Sequence, residues 1–365
     1  MRKRVAEGQY SPRQDNQART KSPKGPETDI LWVVKRKLPS LHRLSPVFTI
    51  VVFCFAGVVI YLQLKAHSLS EIAADIRGIP STKVLMAFAL VVPGLLALAC
   101  YDVVAVKYLK LPLRWWKPLA TGLMGYSITN TTGHAVVVGG MLRLRIYPRW
   151  NIKAGAIGEI LGFGVLTYYL GLSCTAALAF LFEGGGFART LSDIPHVGEI
   201  LSHPWIRYAI PTVLLTLILI WFVLLFTFKR TVRIRGHDFR LPKPIIGLLQ
   251  VVVSCADLCI VASVLWVLLP SHDGMDWLSF VGIFAVIQFI SLLSAVPGGI
   301  GVFEGIMLVV LAPIASTQSE VFAMLLTFRA IYYLVPFTLG GLAFLGVVLV
   351  QRNNPGPKAT LEGES

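Results

Sequence analysis

The chain has 365 residues, of which 55% are hydrophobic and 14% charged, with a net charge of +14 and a mean hydropathy of +0.70. That profile excludes a soluble globular protein of this length. Five cysteines (Cys54, Cys100, Cys174, Cys255, Cys259) all fall inside apolar runs, so they read as small core residues and exclude a disulfide framework.

Residues 1–45 carry eleven Lys/Arg against four acids, among Pro, Ser, Gln and Gly, and end in Lys35-Arg36-Lys37. This is a disordered basic tail beside a membrane rather than a nucleic-acid arm; each such charge near an anionic leaflet adds about 1 kcal/mol of attraction. Spans are expected at 46–64, 84–106, 154–182, 209–228, 245–269 and 320–349, each long and apolar enough to cross a bilayer. Two segments read differently. Residues 118–139 are weakly apolar and polar at their centre, Thr129-Asn130-Thr131-Thr132-Gly133-His134. Residues 277–315 are apolar but interrupted by PGGIGVFEG, Pro297 to Gly305. A break of that density survives at membrane depth only where protein buries it or a cavity solvates it.

Charge assigns the sides. A full crossing at 118–139 separates the loop with Lys107, Lys110, Arg114 and Lys117 from the basic loops that follow. An in-and-out hairpin keeps them together, with 27 Lys/Arg on the cytoplasmic side and 5 outside. Both termini are then cytoplasmic, including the short tail 351–365. Segment 277–315 enters at Trp277 and leaves by Pro313, as a re-entrant pair or as two spans joined at the glycines. The expected fold is an all-α polytopic membrane protein of about six full spans plus two re-entrant or broken hairpins. Each half crosses three times, so the second is inverted relative to the first, the layout of inverted-repeat transporters with sites near the midplane.

Ionisable groups inside the membrane are the candidates for function. Arg329, in TFRAIYYLVPF, lies about nine residues into an apolar helix and needs a carboxylate, a cavity or an anionic ligand. Glu304 and Asp257 are its possible protein partners, in a purely structural pair or as competitors with a ligand. Glu304 also lies in the first turn of a helix resuming near Val302, where a carboxylate suits the dipole. Asp102 is five residues before Lys107 and reaches the interface. Asn130 and His134 sit at the tip of the first hairpin. Gly139-Gly140 followed by Arg143 and Arg145 puts cations where that hairpin returns to the cytoplasmic face, as headgroup contacts or as ordinary positive-inside charge. No Ser-His-Asp grouping, P-loop, dinucleotide fingerprint or metal spacing is present, and no cofactor is expected.

PGGIGVFEG, then FRAIYYLVPF, and before them TNTTGHAVVVGGMLRLRIYPRW, resemble in this order the lysylphosphatidylglycerol synthase transmembrane family, over roughly residues 45–350. The resemblance implies a flippase-like domain over 46–350 in the bacterial inner membrane, moving an anionic phospholipid between leaflets. It places Asn130, Gly133, Arg143, Arg145, Pro297, Gly298, Gly299, Gly301, Glu304, Arg329 and Tyr332 at or near the translocation site. The family's synthases carry a soluble catalytic domain, and only Gln351 to Ser365 follow the last span here, so no enzyme activity is expected. Membrane phospholipids are the expected partners, with a lipid-synthesis enzyme as a further one and no nucleic acid. A secondary transporter of a small solute, using Asp257 or Glu304 as a proton or ion site, and a non-transporting partner of a lipid-synthesis enzyme are the alternatives.

Overall fold

The computed structural model describes residues 69–132, 135–182, 204–227, 231–234, 237–272, 275–294, 296–312 and 315–353. The basic tail, the span expected at 46–64, Gly133, His134 and residues 354–365 lie outside these. The described residues form eleven α-helices: α1 (Leu69–Gly78), α2 (Ser81–Tyr108), α3 (Trp116–Thr132), α4 (Ala135–Ile146), α5 (Ala154–Phe182), α6 (Pro204–Thr227), α7 (Pro244–Leu268), α8 (Trp277–Leu293), α9 (Val302–Leu311), α10 (Gln318–Arg329) and α11 (Val335–Asn353). One small antiparallel ribbon, β1 (Thr231–Ile234) with β2 (His237–Arg240), pairs Thr231 with Arg240 in the basic loop between α6 and α7.

Among the described residues four helices are long and apolar enough to cross a membrane: α2, α5, α7 and the continuous rod from Gln318 to Val350. Their bounds follow the apolar runs to within a few residues. Prolines help to set the starts. Pro244 opens α7, where a missing N–H costs nothing and the fixed φ is already helical. Asp276 caps α8, its carboxylate accepting the Leu278 and Ser279 amides at 2.9 and 3.0 Å. Leucines and aromatics of α6 and α11 face outward (Leu219, Phe226, Leu339, Leu342, Leu345), as lipid contact requires.

The two broken segments are built alike. In each, a 17-residue helix (α3, α8) is followed by a shorter return helix, α4 of 12 residues and α9 of 10. At 1.5 Å per residue α9 is about 15 Å long, half of a hydrocarbon core of about 30 Å. α9 alone is too short to span, whereas α8, at about 25 Å, is nearly long enough, so the glycine break joins one long and one short apolar helix.

The halves are inverted and interlocked. α2 and α7 hold equivalent places, each just before a hairpin, and they run antiparallel. Lys83 at the start of α2 donates to the Leu269 carbonyl past the end of α7 (2.6 Å), and Tyr101 near the end of α2 donates to Asp257 at 2.9 Å. Each hairpin packs on the last span of the opposite half, α8 on α5 and α3 on α11. Small residues allow both contacts. A Cβ added at Gly282 of α8 would lie 2.6 Å from the Cβ of Ala179, and one at Gly340 of α11 would lie 2.6 Å from the Cβ of Ser127. α1, which hydropathy did not signal, docks on α10, where Ser319 donates to Asp75. A buried aromatic cluster (Phe280, Phe284, Phe303, Phe328, Tyr332) fills the space between α8, α9 and α10.

Candidate functional site

The hairpin tips meet. Gly298, at φ +63, turns the chain so tightly beside the end of α3 that a Cβ there would lie 3.1 Å from the Thr131 carbonyl oxygen and 3.7 Å from that of Asn130. The Thr131 hydroxyl donates to the Tyr333 carbonyl at 3.2 Å. That carbonyl lies in a π-helical turn, Ala330–Leu334. Pro336 explains the turn: it has no N–H for the Tyr332 carbonyl, and its ring crowds that oxygen, so the helix widens.

Arg329 stands at this junction, on the last residue of α10. Its Nε donates to Glu304 Oε1, and its Nη1 donates to the Gly298 carbonyl at 2.9 Å. Its guanidinium carbon lies 4.4 Å from the centre of the Tyr333 ring and 5.5 Å from that of Phe303. Glu304 reaches back with Oε2 to accept the Gly301 amide at 2.7 Å. Gly301 has φ +84, outside the reach of ordinary side chains. One carboxylate therefore both caps α9 and neutralises Arg329. Two of the five guanidinium donors are engaged in this way, and the side chain remains 18% exposed.

A second arginine is held shut. Arg143 grips Asp102 with a two-pronged pair, Nε to Oδ2 at 2.9 Å and Nη2 to Oδ1 at 2.7 Å, and its Nη1 donates to the Gly139 carbonyl. Tyr147 adds a hydroxyl to Asp102 Oδ2 at 2.9 Å, and the guanidinium carbon lies 4.8 Å from the Tyr126 ring centre. Both charged side chains are 1% exposed. Gly125 and Gly139 make the room: an added Cβ would come within 3.1 and 2.9 Å of Arg143 Nη1.

Deeper still, Asp257 accepts the Tyr101 hydroxyl on Oδ2, while Oδ1 is buried with no hydrogen-bond partner among the described residues. The arrangement thus contains two buried carboxylates, Asp102 with an arginine and Asp257 with a single tyrosine, and the partly buried Glu304 paired with the other arginine.

The expected site residues divide accordingly. Gly298, Gly299, Gly301, Glu304 and Arg329 come together, with Pro297 opening the turn Pro297–Gly299 and Asn130 contributing backbone from the facing tip. Gly133 lies outside the described residues. Arg143 is not where Gly139-Gly140 suggested. α4 continues past those glycines to Ile146, which carries Arg143 into the interior, while Arg145 stays exposed. Asp102 correspondingly does not reach the interface but is buried against Arg143. Tyr332 packs in the core, stacked on Phe328 and facing α2 at Gly94; its neighbour Tyr333 is the one over Arg329. Tyr101, Tyr126 and Tyr147 carry no signal in the sequence pattern, and Tyr333 reads there only as a belt or packing aromatic. Asp102 carries one signal, a charge one turn inside an apolar run, which by itself suits the interface equally well.

Fold and site together define a polytopic helical membrane protein with two hairpins meeting at a charged junction. No family model matches the chain. Among relatives, an uncharacterized protein of Synechocystis sp. is 29% identical over 292 residues, covering 80% of this chain and 87% of that one. The inner membrane protein YbhN of Escherichia coli is 24% identical over 294 residues, covering 80% and 89%. The phosphatidylglycerol lysyltransferase of Staphylococcus aureus is 23% identical over 306 residues, covering 83% of this chain but 34% of its own length. These relatives are consistent with the resemblance that the three motifs carry to the lysylphosphatidylglycerol synthase transmembrane family, and the match to the lysyltransferase covers its membrane-embedded part alone.

Proposed function

We propose that this protein moves an anionic phospholipid, or another lipid-linked anion, between the leaflets of the bacterial inner membrane, with both termini cytoplasmic. The observation that carries the reading is Arg329: a partly accessible guanidinium with donors to spare, where two helical hairpins meet. A charge at that depth is costly and is retained where it lines a pathway. A phosphate ester matches the fork of N–H donors that Glu304 uses in part. On arrival it displaces Glu304 from Arg329. Glu304 keeps its bond to the Gly301 amide and returns when the lipid leaves, so the site is never an unpaired buried cation. Hairpins approaching from opposite sides gate opposite leaflets in turn. The named activity of the Staphylococcus aureus relative, on phosphatidylglycerol, supports a glycerophospholipid as cargo.

The test is transfer of headgroup-labelled phosphatidylglycerol in liposomes holding the purified chain. Arg329→Ala removes charge-assisted bonds worth about 1.5–3 kcal/mol each, so transfer falls by about 10- to 100-fold while the helical content is kept. Unchanged transfer in a folded Arg329→Ala protein overturns the assignment.

A further inference from the structure

Asp257 is not used by the lipid pathway just described, and its surroundings are unusual. It is the fourteenth of the 25 residues of α7, near mid-membrane, and 2% exposed. Tyr101 of α2 donates to it, and Tyr126 of α3, Tyr168 of α5 and Tyr332 and Tyr333 of the π turn lie within reach of its charge. Cys259, two residues on in α7, points to the other side of that helix, and Gln288 of α8 bonds to Tyr168. The ion pairs among the described residues are Arg143–Asp102 and Arg329–Glu304, so both nearby arginines are committed elsewhere. A carboxylate anion with one oxygen unanswered costs several kcal/mol at this depth; the neutral acid does not.

A polar track leads to it. Gln250, Ser254 and Asp257 stand at i, i+4 and i+7 of α7, on one buried face that starts near the basic loop ending in Lys243. Gln250 Nε2 donates to Thr167, but Gln250 Oε1, like Asp257 Oδ1, has no partner among the described residues. Two orphan acceptors one above the other on a single face need hydrogen from elsewhere. The far end of the track comes near the lipid site, because Tyr332 lies within reach of the Asp257 charge while Tyr333 covers Arg329 in the same π turn.

We infer that Asp257 takes up and releases one proton per cycle through the Gln250 face of α7, coupling the movement of the anionic lipid to the proton gradient. In loading, an O–H bond forms at Oδ1 with a proton from water at the Lys243 end; in release that bond breaks and the proton leaves on the other side. The π turn reports the change to Arg329. The coupling rests on the lipid reading above; the proton site does not.

Two measurements on the full chain in phosphatidylglycerol-containing liposomes test it. Infrared difference spectra across a pH titration should show a protonated-carboxyl band that titrates in the wild type, vanishes in Asp257→Asn and returns, shifted, in Asp257→Glu. With an imposed pH gradient, the ratio of labelled lipid between leaflets should shift about tenfold per pH unit for one coupled proton. Asp257→Asn should equilibrate the label without responding to the gradient, and Gln250→Leu should slow the response. A band that does not titrate, an Asp257→Asn protein that follows the gradient as the wild type does, or a response to sodium rather than to pH overturns the inference. A titrating Asp257 band without lipid transfer in any protein upholds the proton site and sinks the lipid reading instead.

Discussion

Replacing Arg143 by Met removes a charge and keeps most of the volume, in a place where both partners are 1% exposed. Two charge-assisted bonds to Asp102, at 2.9 and 2.7 Å, and one bond to the Gly139 carbonyl are lost. Asp102 is left buried with neutral tyrosine hydroxyls, Tyr147 at 2.9 Å and Tyr126, in place of a cation. Breaking a buried pair from one side costs about 3–5 kcal/mol, because the stranded charge has no water to turn to. Asp102→Asn strands the arginine and should cost a similar amount. The double variant leaves no uncompensated charge, so its cost should fall short of the sum by at least about 2 kcal/mol. Unfolding in mixed micelles by a denaturing detergent, followed by tryptophan fluorescence, measures all three; Trp150 packs edge-on to Tyr147, 5.8 Å between ring centres, and so reports locally. Single variants within about 1 kcal/mol of the wild type, or strictly additive costs, would refute the claim that this pair holds α2 and α4 together.

Four further outcomes are expected. Gly298→Ala forces a left-handed φ on a residue with a side chain and pushes its Cβ toward the Thr131 carbonyl; a loss of about 1–2 kcal/mol in the same unfolding assay, with reduced lipid transfer, is expected. Asp276→Ala should cost about 1 kcal/mol at neutral pH through the lost α8 cap. Bonds from Ser279 and Leu278 hold the Asp276 carboxyl below its ordinary value, so the cap is intact above the usual carboxylate range and lost as pH falls through the depressed value; the gap between variant and wild type should close in acid, in a pH series of melting curves. Gly340→Leu drives a side chain into Ser127 and should loosen α11 from α3, seen as faster hydrogen exchange in both helices. Cysteines placed at Arg149 and Ser271 should label from opposite sides of the membrane, and labelling from one side would refute the opposed hairpins.

How much of this was legible in the sequence depends on the distance over which each signal acts. Spans were legible because lipid selects residues one by one: the expected 154–182 and 245–269 match α5 and α7 to within a residue. The break at PGGIG and the Glu304–Arg329 pair were legible because glycine conformation and charge at depth are local penalties. Gly139-Gly140 reads in sequence as the end of the hairpin, whereas Gly139 serves to admit the Arg143 guanidinium, which only the folded arrangement reveals. Asp102 with Arg143, Tyr101 with Asp257, and Thr131 with Tyr333 are separated by 41, 156 and 202 residues. Hydropathy carries no information on such pairs. The inversion was read from charge counts, but the exchange of hairpins between halves follows from packing of small residues and had no one-dimensional trace.

That exchange sets a schedule for synthesis. α3 packs on α2 as soon as it is made, but its joint with α11 waits until that helix has been made, roughly 200 residues later. At a ribosomal pace of about 5–20 residues per second the wait is of the order of 10–40 s. During it, a helical hairpin whose polar tip has neither Gly298 nor Tyr333 beside it must be sheltered by lipid, water or the insertion machinery. Helices α5 and α8 close their own joint earlier, so the second hairpin is seated almost at once. The two hairpins, alike in build, therefore have unlike histories, and the first is the one a truncated or stalled chain leaves exposed.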